Sequence, residues 1–284
     1  MPTLLGVTSV LLTILVCRPG QVSAYEAVSH HQGTSNLVLT VPHAGHLKPS
    51  CVAKRRTGCL DENCNCKFGR KKCKDIGIKN KKCKTTAKKK CKINGGNDMN
   101  SQNIAIDVYN ELTRQGIWPH MVINNIHRSR LDQNRDEEEA AQGNAYATKA
   151  YKKYHSTIEE IKESFGGSPG LILDFHRQLI CSDTIEIGYL VSKADLNAGT
   201  YERLKKSDLS IRSLVERVGW QNGMDLISGN KSMGALFEKN RYTALPSNKN
   251  KSPGKRRYFN GGYTILRHGT NKEGKVDAIQ LEFP

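Results

Sequence analysis

Side chains that bind metal ions follow apolar, strand-like runs at two places in the sequence. His43 and His46 come directly after the apolar run 36–41. His176 likewise follows the run 171–175. In sheets with parallel strands, functional sites lie at the carboxyl ends of the strands. Imidazole suits Zn²⁺, and a catalytic zinc site needs three protein ligands with one position left for water. The spacing therefore indicates a zinc site, although either histidine alone is more typical of a loop or a core.

A carboxylate and two arginines could supply the other groups of a hydrolytic site. Glu282 stands inside the last apolar run of the chain, where a carboxylate without a partner would be costly to bury. A general base beside a metal ion is a role that explains such a residue. Arg130 and Arg135 carry planar forks that suit carboxylates. The alternative for each arginine is a structural ion pair with Asp132 or with the acidic run 136–139.

Strand-like and helical segments alternate along the rest of the chain and would position these groups. The predicted strands are 36–41, 121–123, 171–175, 184–191 and 278–283. The predicted helices are 101–115, 140–165 and 207–218. This order predicts an α/β fold, with a mixed, largely parallel sheet flanked by helices.

Residues 51–96 interrupt this order and differ from the rest in composition. Within them, residues 51–92 hold sixteen Lys and Arg but only three Asp and Glu, which is +13 of the net charge of +17. Because the segment has few large apolar residues, disulfides must hold it together. Seven of the nine cysteines lie there, at spacings that do not match a zinc knuckle. We predict a disulfide-rich basic insertion; if all eight cysteines that remain after removal of the signal peptide are paired, at least one bridge joins it to Cys181.

The beginning of the chain is typical of an exported protein. Residues 4–16 form a short apolar run, and the small residues at 22–24 predict a signal peptide that is cleaved after Ala24. Residues 25–284 would then form one domain that contains the insertion. No later apolar run approaches the 18 residues of a membrane span. We expect a secreted, extracellular glycoprotein. Its two Asn-Lys-Ser sequons begin at Asn230 and Asn250.

Five short motifs occur in the order in which N-formylglutamate amidohydrolase-like proteins, relatives of the zinc carboxypeptidases, have them. The motifs are Val41-Pro42-His43-Ala44-Gly45, Ser129-Arg130-Leu131-Asp132-Gln133-Asn134-Arg135, Leu173-Asp174-Phe175-His176, Gly261-Gly262-Tyr263-Thr264 and Ala278-Ile279-Gln280-Leu281-Glu282. Each motif alone is weak, but five in order are fairly specific. Over residues 36–284 the chain therefore resembles this family.

The resemblance implies a zinc-exopeptidase-like fold and the hydrolysis of an N-acyl amino acid or a small amide. It implies that His43 and His176 bind one zinc ion and that Glu282 is the catalytic base that activates water. The third metal ligand is either His46 or Asp98. We slightly favour His46, because it stands at the i+3 position where the carboxypeptidases have a glutamate.

The resemblance also implies a small substrate that carries a carboxylate. Arg130, Asn134 and Arg135 would bind this carboxylate or polarise the carbonyl, with Arg130 as a catalytic residue and the other two as substrate-binding residues. We therefore favour a secreted zinc-dependent amidohydrolase. The alternative is a non-enzymatic matrix or biomineral-matrix protein with a hydrolase-derived fold. It would bind an acidic polysaccharide, an acidic matrix protein or a mineral surface through residues 51–92. Nucleic acid is a poor target for a secreted protein.

Overall fold

The structure is a computed structural model of the chain, and it describes residues 27–69, 83, 91–178, 183–206, 208–270 and 274–284. Within these residues the strands are β1 (Val28–His31), β2 (Leu37–Val41), β3 (Cys59–Leu60), β4 (Cys66–Lys67), β5 (His120–Asn124), β6 (Gly170–Arg177), β7 (Thr184–Gly188), β8 (Thr243–Leu245) and β9 (Val276–Phe283). The helices are α1 (Ser101–Arg114), α2 (Glu137–Ala141), α3 (Ala145–Ser164), α4 (Lys193–Ala198), α5 (Tyr201–Lys206), α6 (Arg212–Val218), α7 (Gly223–Ser228), α8 (Met233–Lys239) and α9 (Tyr263–His268).

A mixed sheet organises the molecule. Its strand order is β1-β5-β2-β6-β9-β7-β8. The neighbours β5 and β2, β2 and β6, β6 and β9, and β7 and β8 run parallel. Among the described strands, β1 against β5 and β7 against β9 are the antiparallel pairs of this sheet. The prediction of a mixed, largely parallel sheet with flanking helices is thus confirmed.

The two faces of the sheet carry separate apolar clusters. Successive side chains of a strand point to opposite faces, so Val38 and Leu39 of β2 belong to different clusters. On one face Val38 shares a cluster with Tyr154 of α3. On the other face Leu39 shares a cluster with Ala105 of α1 and Val215 of α6. Both faces of the central strands are therefore covered, as parallel sheets require.

The prediction of one helix over 140–165 is wrong, because the chain forms two helices there. Gln142 and Gly143 separate α2 from α3 with positive φ angles of 50° and 68°. Asn144 then begins the second helix, since its side chain accepts a hydrogen bond from the main-chain N–H of Ala147. A left-handed turn followed by an asparagine cap ends one helix and starts the next.

The helix predicted over 207–218 begins later than expected. In the structure it is α6, which starts at Arg212. Ser210 instead donates its main-chain N–H to the carbonyl of Tyr189 and its hydroxyl to the carbonyl of Ala278. These contacts tie the preceding segment to the sheet, so its polar groups have partners outside a helix.

Disulfides hold the part of the insertion that the structure describes. Cys64 is bonded to Cys83 and Cys66 to Cys91. The short antiparallel pair of β3 and β4 lies in the same segment. The expected disulfide scaffold is confirmed for these bonds, while the predicted bridge to Cys181 lies outside the described residues.

Two features of the described residues bear on the location of the protein. Among the residues that the structure describes, no helix is long and apolar enough to cross a membrane. Disulfides are typical of proteins that fold in oxidising compartments. The predicted signal peptide lies outside the described residues, so cleavage after Ala24 and secretion stay predictions.

The two glycosylation sequons differ in exposure, and we predict that Asn230 carries glycan more readily than Asn250. Asn230 is exposed in the turn between α7 and α8, whereas Asn250 is half-buried and its carbonyl accepts a hydrogen bond from Ser247. Pro253 should further hinder the second site. Intact-mass analysis of protein from a eukaryotic secretory host, before and after deglycosylation, checks this. An Asn230→Gln variant that loses no glycan mass would contradict it.

Candidate metal centre

Two histidines and an aspartate meet at the carboxyl ends of the central strands. His43 follows β2, and His176 lies near the end of the neighbouring parallel strand β6. Asp98 lies just before α1, and its main-chain N–H donates to the carbonyl of His43. The three residues are 1%, 2% and 7% exposed. Among the described residues, this is the group whose side chains could share one metal ion.

The local chain geometry brings His43 to this position. A Cβ atom at Gly45 would lie 2.3 Å from the main-chain carbon of Asn125, so only glycine lets the segment pass so closely. Asn124 donates its side-chain amide to the carbonyl of Pro42. The segment after β2 is therefore held against the segment after β5, and His43 stays buried at the edge of the sheet.

Three potential ligand atoms converge in the cluster. The Nδ1 atoms of His43 and His176 are 3.1 Å apart. Oδ2 of Asp98 lies 3.1 Å from Nδ1 of His43 and 2.7 Å from Nδ1 of His176. Burial alone would raise the pKa of Asp98, but the two histidines hold that pKa well below its ordinary value.

Each histidine is oriented by a second carboxylate on its far side. Nε2 of His43 lies 2.6 Å from Oδ1 of Asp132, and Nε2 of His176 lies 2.9 Å from Oδ2 of Asp174. An ionised carboxylate can only accept, so both Nε2 atoms carry the proton in these hydrogen bonds. In the neutral ring this leaves Nδ1 with its lone pair toward the cluster. Such carboxylate–histidine pairs are the usual outer partners of metal-binding histidines.

The donor set fits a zinc ion. Two imidazole nitrogens and one carboxylate oxygen form a common catalytic zinc ligand set that leaves a fourth position open. Three electron-rich atoms within about 3 Å of one another need positive charge between them. The pKa of His176 reflects this, because Asp174 and Asp98 outweigh the effect of burial and raise it well above its ordinary value. The residues present therefore suit a divalent cation.

Two arginines support the carboxylate behind His43. Nε of Arg128 and Nη2 of Arg55 each lie 3.0 Å from Oδ2 of Asp132. Arg128 also donates to Oδ1 of Asp98 at 3.2 Å. Burial would raise the pKa of the fully buried Asp132, but His43 and the two guanidinium groups hold it well below its ordinary value. Asp132 is thus an ionised acceptor for the histidine.

The carboxylate behind His176 is held by Thr40, which donates its hydroxyl to Oδ1 of Asp174 at 2.7 Å. Asn134 lies beside the same histidine, with its side-chain amide nitrogen 3.3 Å from Nε2 of His176. Oδ1 of Asn134 accepts from the main-chain N–H of Thr264 at 2.8 Å, and a Cβ atom at Gly262 would lie 2.3 Å from the Asn134 amide. The motif 261–264 therefore places Asn134 beside the histidine.

Glu282 lies next to the cluster on the neighbouring strand. In the β6–β9 pair its register partner is His176, so both side chains are on the same face of the sheet. Glu282 is 6% exposed, and Gln280 donates to its Oε1 at 2.8 Å. Burial raises the pKa of Glu282 to about 7, and the nearby Asp98 and Asp174 act in the same direction against His176. A carboxyl group with such a pKa can accept and return a proton near neutral pH.

The structure separates the predicted site residues into two groups. It brings His43, His176, Glu282 and Asn134 together. His46 is exposed and does not belong to the cluster. Asp98, the alternative that the sequence left open, occupies the third position.

The two arginines predicted for the site have protein partners of their own. The guanidinium of Arg130 donates to the main-chain carbonyls of Pro49 and Val52. Arg135 donates to the carbonyl of Asn134 and lies 3.3 Å from a carboxylate oxygen of Glu139. Its side chain is 35% exposed, so it can still reach a ligand. The structural ion pair considered from the sequence is thus present for Arg135.

Sequence reasoning gave no site role to Asp132, Asp174, Arg128 or Arg55. For Asp174 a signal exists, because it stands two residues before His176 and shares a face of β6 with it. The role of Asp132 depends on contacts with His43, 89 residues away in the sequence, so no local pattern indicates it.

The fold and the cluster together define a mixed α/β protein with a buried His–Asp–His centre at the carboxyl ends of its strands. No protein-family model and no curated protein matches the sequence. Among solved structures, the chain is similar to gene product Atu2144 from Agrobacterium tumefaciens, with 13% identity, a TM-score of 0.45 and coverage of 92% of this chain and 84% of that one.

A second similar structure is N-formylglutamate amidohydrolase from Ralstonia eutropha JMP134. The identity is 14%, the TM-score is 0.42, and the alignment covers 91% of this chain and 85% of that one.

Proposed function

We propose that the protein is a secreted zinc-dependent amidohydrolase that acts on an N-acyl amino acid or a small amide. The convergence of two Nδ1 atoms and one carboxylate oxygen at 2.7–3.1 Å, with each histidine oriented by its own aspartate, carries this proposal. The five motifs support the reaction class, because four of them contain residues of the centre. Asp98 lies outside the motifs, but its main-chain N–H donates to the carbonyl of His43, which belongs to the first motif.

Each part of the centre has a distinct task in this proposal. His43, Asp98 and His176 hold the ion, while Asp132 and Asp174 accept hydrogen bonds from Nε2 of the two imidazole rings, so that Nδ1 of each ring is the nitrogen that faces the ion. A zinc ion bound there would supply a Lewis acid for the carbonyl and for the attacking water. The burial of the ligands excludes bulk water and strengthens these interactions.

Glu282 moves the proton. The attacking water gives a proton to the Glu282 carboxylate while its oxygen bonds to the acyl carbon. The C–N bond then breaks, and the same proton passes from Glu282 to the leaving amine nitrogen. The products are a carboxylic acid and an amine, and Glu282 is again a carboxylate.

Polar side chains beside the centre would recognise the substrate. Asn134 lies against His176, and the side chain of Arg135 next to it is partly exposed, so these two residues would bind the substrate carboxylate. Arg130 would first have to exchange its contacts with the carbonyls of Pro49 and Val52 for the substrate.

A substrate panel tests the proposed function. The purified protein should be stripped with a chelator, reloaded with zinc and incubated with N-formyl, N-acetyl and longer N-acyl amino acids, with amine release as the readout. We expect amine release that disappears on stripping and returns with zinc. A protein that binds zinc but releases no amine across the panel would contradict the amidohydrolase and favour a binding protein.

The second candidate function is binding of acidic polymers by the insertion. Described residues of the insertion that carry exposed cationic side chains are Lys54, Arg56, Lys67 and Lys92. A further run, residues 88–90, consists of three lysines in the sequence but lies outside the described residues. Exposed cations of one sign attract anionic polymers.

Replacing the three lysines at 88–90 by glutamine should make the protein elute from a sulfated-glycan column at clearly lower salt. Contacts between lysines and sulfate groups are electrostatic, so salt screens them. The matched control removes the same charge at the exposed Lys149, Lys152 and Lys205, outside the insertion. Equal elution of both triple variants would show that the insertion has no special affinity.

A further inference from the structure

We propose that Arg55, a residue of the basic insertion, is a positioning residue of the metal centre that orients His43 through Asp132. The insertion is then a part of the centre as well as a charged segment. The proposal rests on the metal-binding part of the proposed function, because it concerns how one ligand is held.

Arg55 is buried where the two ends of the insertion meet the motif 129–135. Its main-chain N–H donates to the carbonyl of Ser129 at 2.7 Å. Its Nε donates to the carbonyl of Arg128 at 3.0 Å, and its Nη2 donates to the carbonyl of Asn94 at 2.5 Å. The same Nη2 lies 3.0 Å from Oδ2 of Asp132. With its side chain 1% exposed, the guanidinium has a fixed position and a fixed set of acceptors.

Asp132 transmits this position to the metal ligand. Its Oδ1 accepts from Nε2 of His43 and from the main-chain N–H of Asn134, while its Oδ2 accepts from Arg55 and Arg128. These four hydrogen bonds restrict the orientation of the Asp132 carboxylate, and the two guanidinium groups fix its plane. Without Arg55, only the guanidinium of Arg128 holds Oδ2 of Asp132. The Asp132 carboxylate can then rotate more freely, and the His43 ring is oriented less firmly.

The two arginines contact different carboxylates of the centre, so a substitution of Arg55 tests the role of Asp132 more selectively than a substitution of Arg128. Arg128 contacts both Asp132 and Asp98, so its removal disturbs two branches of the centre. Among the side chains of the centre, Arg55 contacts that of Asp132; its other contacts are the main-chain carbonyls of Ser129, Arg128 and Asn94 and, at 3.9 Å, a carboxylate oxygen of Glu139. The His176 branch depends on Asp174 and Thr40, which Arg55 does not touch, and it serves as an internal reference.

Zinc affinity, measured per folded molecule by competition with a chelator, tests the proposal. We expect Arg55→Met to bind zinc about 10–100-fold more weakly, the usual loss when an outer partner of a metal ligand is removed. Arg55→Lys keeps the charge but cannot reach several acceptors at once, so it should recover only part of the affinity. Lys54→Met, the control, removes the same charge from the neighbouring exposed position and should leave the affinity unchanged.

A double-mutant cycle separates positioning from simple attachment of the insertion. If Arg55 acts through Asp132, the variant with both Arg55→Met and Asp132→Asn should bind zinc no more weakly than Asp132→Asn alone. If Arg55 only fastens the insertion, Arg55→Met should lower the thermal midpoint but leave the zinc affinity of the folded molecules unchanged, and this result would overturn the proposal.

The NMR signal of the His43 Nε2 proton in metal-free protein distinguishes failure of this proposal from failure of the proposed function. Arg55→Met and Arg55→Lys should both shift this signal, while the corresponding signal of His176 stays in place. If the parent protein binds no zinc, the proposed function fails but the shift still supports the action of Arg55 on His43. Unchanged His43 signals in both folded variants would contradict it.

Discussion

Glu282→Gln should lower kcat for amide hydrolysis by about 10²–10⁴-fold, the usual contribution of a general base. The substitution keeps the size of the side chain but removes the group that accepts a proton from water. Because Glu282 is assigned as a base and not as a ligand, the zinc content should stay near that of the parent. Initial rates on the best substrate of the panel, together with metal analysis of the same sample, check both parts.

Glu186→Gln is the matched control for this variant. Glu186 lies on β7 opposite Glu282, is also buried, and has a pKa that burial raises above its ordinary value. Its Oε2 accepts from the main-chain N–H of Phe259, which a glutamine oxygen can also do. The control should therefore keep kcat within severalfold of the parent. Equal rates for Glu282→Gln and the parent would show that Glu282 is not the base.

Asp98→Ala should weaken zinc binding by more than the roughly 10–100-fold that loss of an outer partner costs, because it removes a ligand itself. His46→Ala should leave zinc binding unchanged, since His46 is exposed and lies outside the cluster. Chelator competition on both variants measures the difference. Asp98→Asn, which keeps one weaker oxygen donor, should fall between the parent and Asp98→Ala.

The opposite result would support the ligand set favoured from the sequence, which is His43, His46 and His176. If His46→Ala lost zinc and Asp98→Ala kept it, the zinc-bound protein would have to adopt a different arrangement of the segment after β2.

The central strands could be predicted from the sequence because their signals are local. The apolar run of β2 ends at Pro42, and the last residues of β6 are the polar His176 and Arg177, so both the strands and their functional ends are marked. The edge strand β1 has no such signal, because His30 and His31 are exposed and, among the described strands, β1 has a neighbour on one side only. The helices α4, α5 and α7 have six residues each, too few to show a clear period.

The ligands of the metal centre could be predicted only where they lie at the carboxyl ends of strands. His43 and His176 meet because parallel neighbours end at the same edge of the sheet. Asp98 is 55 residues from His43, beyond the whole insertion, and a main-chain hydrogen bond brings it back to His43. The resemblance to the carboxypeptidases favours His46, because it stands at the i+3 position where they have a glutamate. Proximity in the folded chain depends on how the insertion returns, which spacing does not reveal.

Contacts between residues that are distant in the sequence also explain why the insertion, judged from the sequence, is separate from the metal centre. Its charge and its cysteines differ from those of the rest of the chain, so composition marks it as an addition. One of its sixteen cations, Arg55, is nevertheless buried against Asp132. A buried arginine within a cationic segment has no distinguishing pattern, and only the three-dimensional contacts reveal it.

Anomalous diffraction at the zinc edge, from crystals of protein purified without added metal, tests the central claim most directly. We predict one zinc peak per chain, about 2.0–2.2 Å from Nδ1 of His43, Nδ1 of His176 and a carboxylate oxygen of Asp98. A zinc ion held instead through Nε2 of either histidine, a peak elsewhere in the chain, or crystals of folded protein without any peak after zinc soaking would contradict the account.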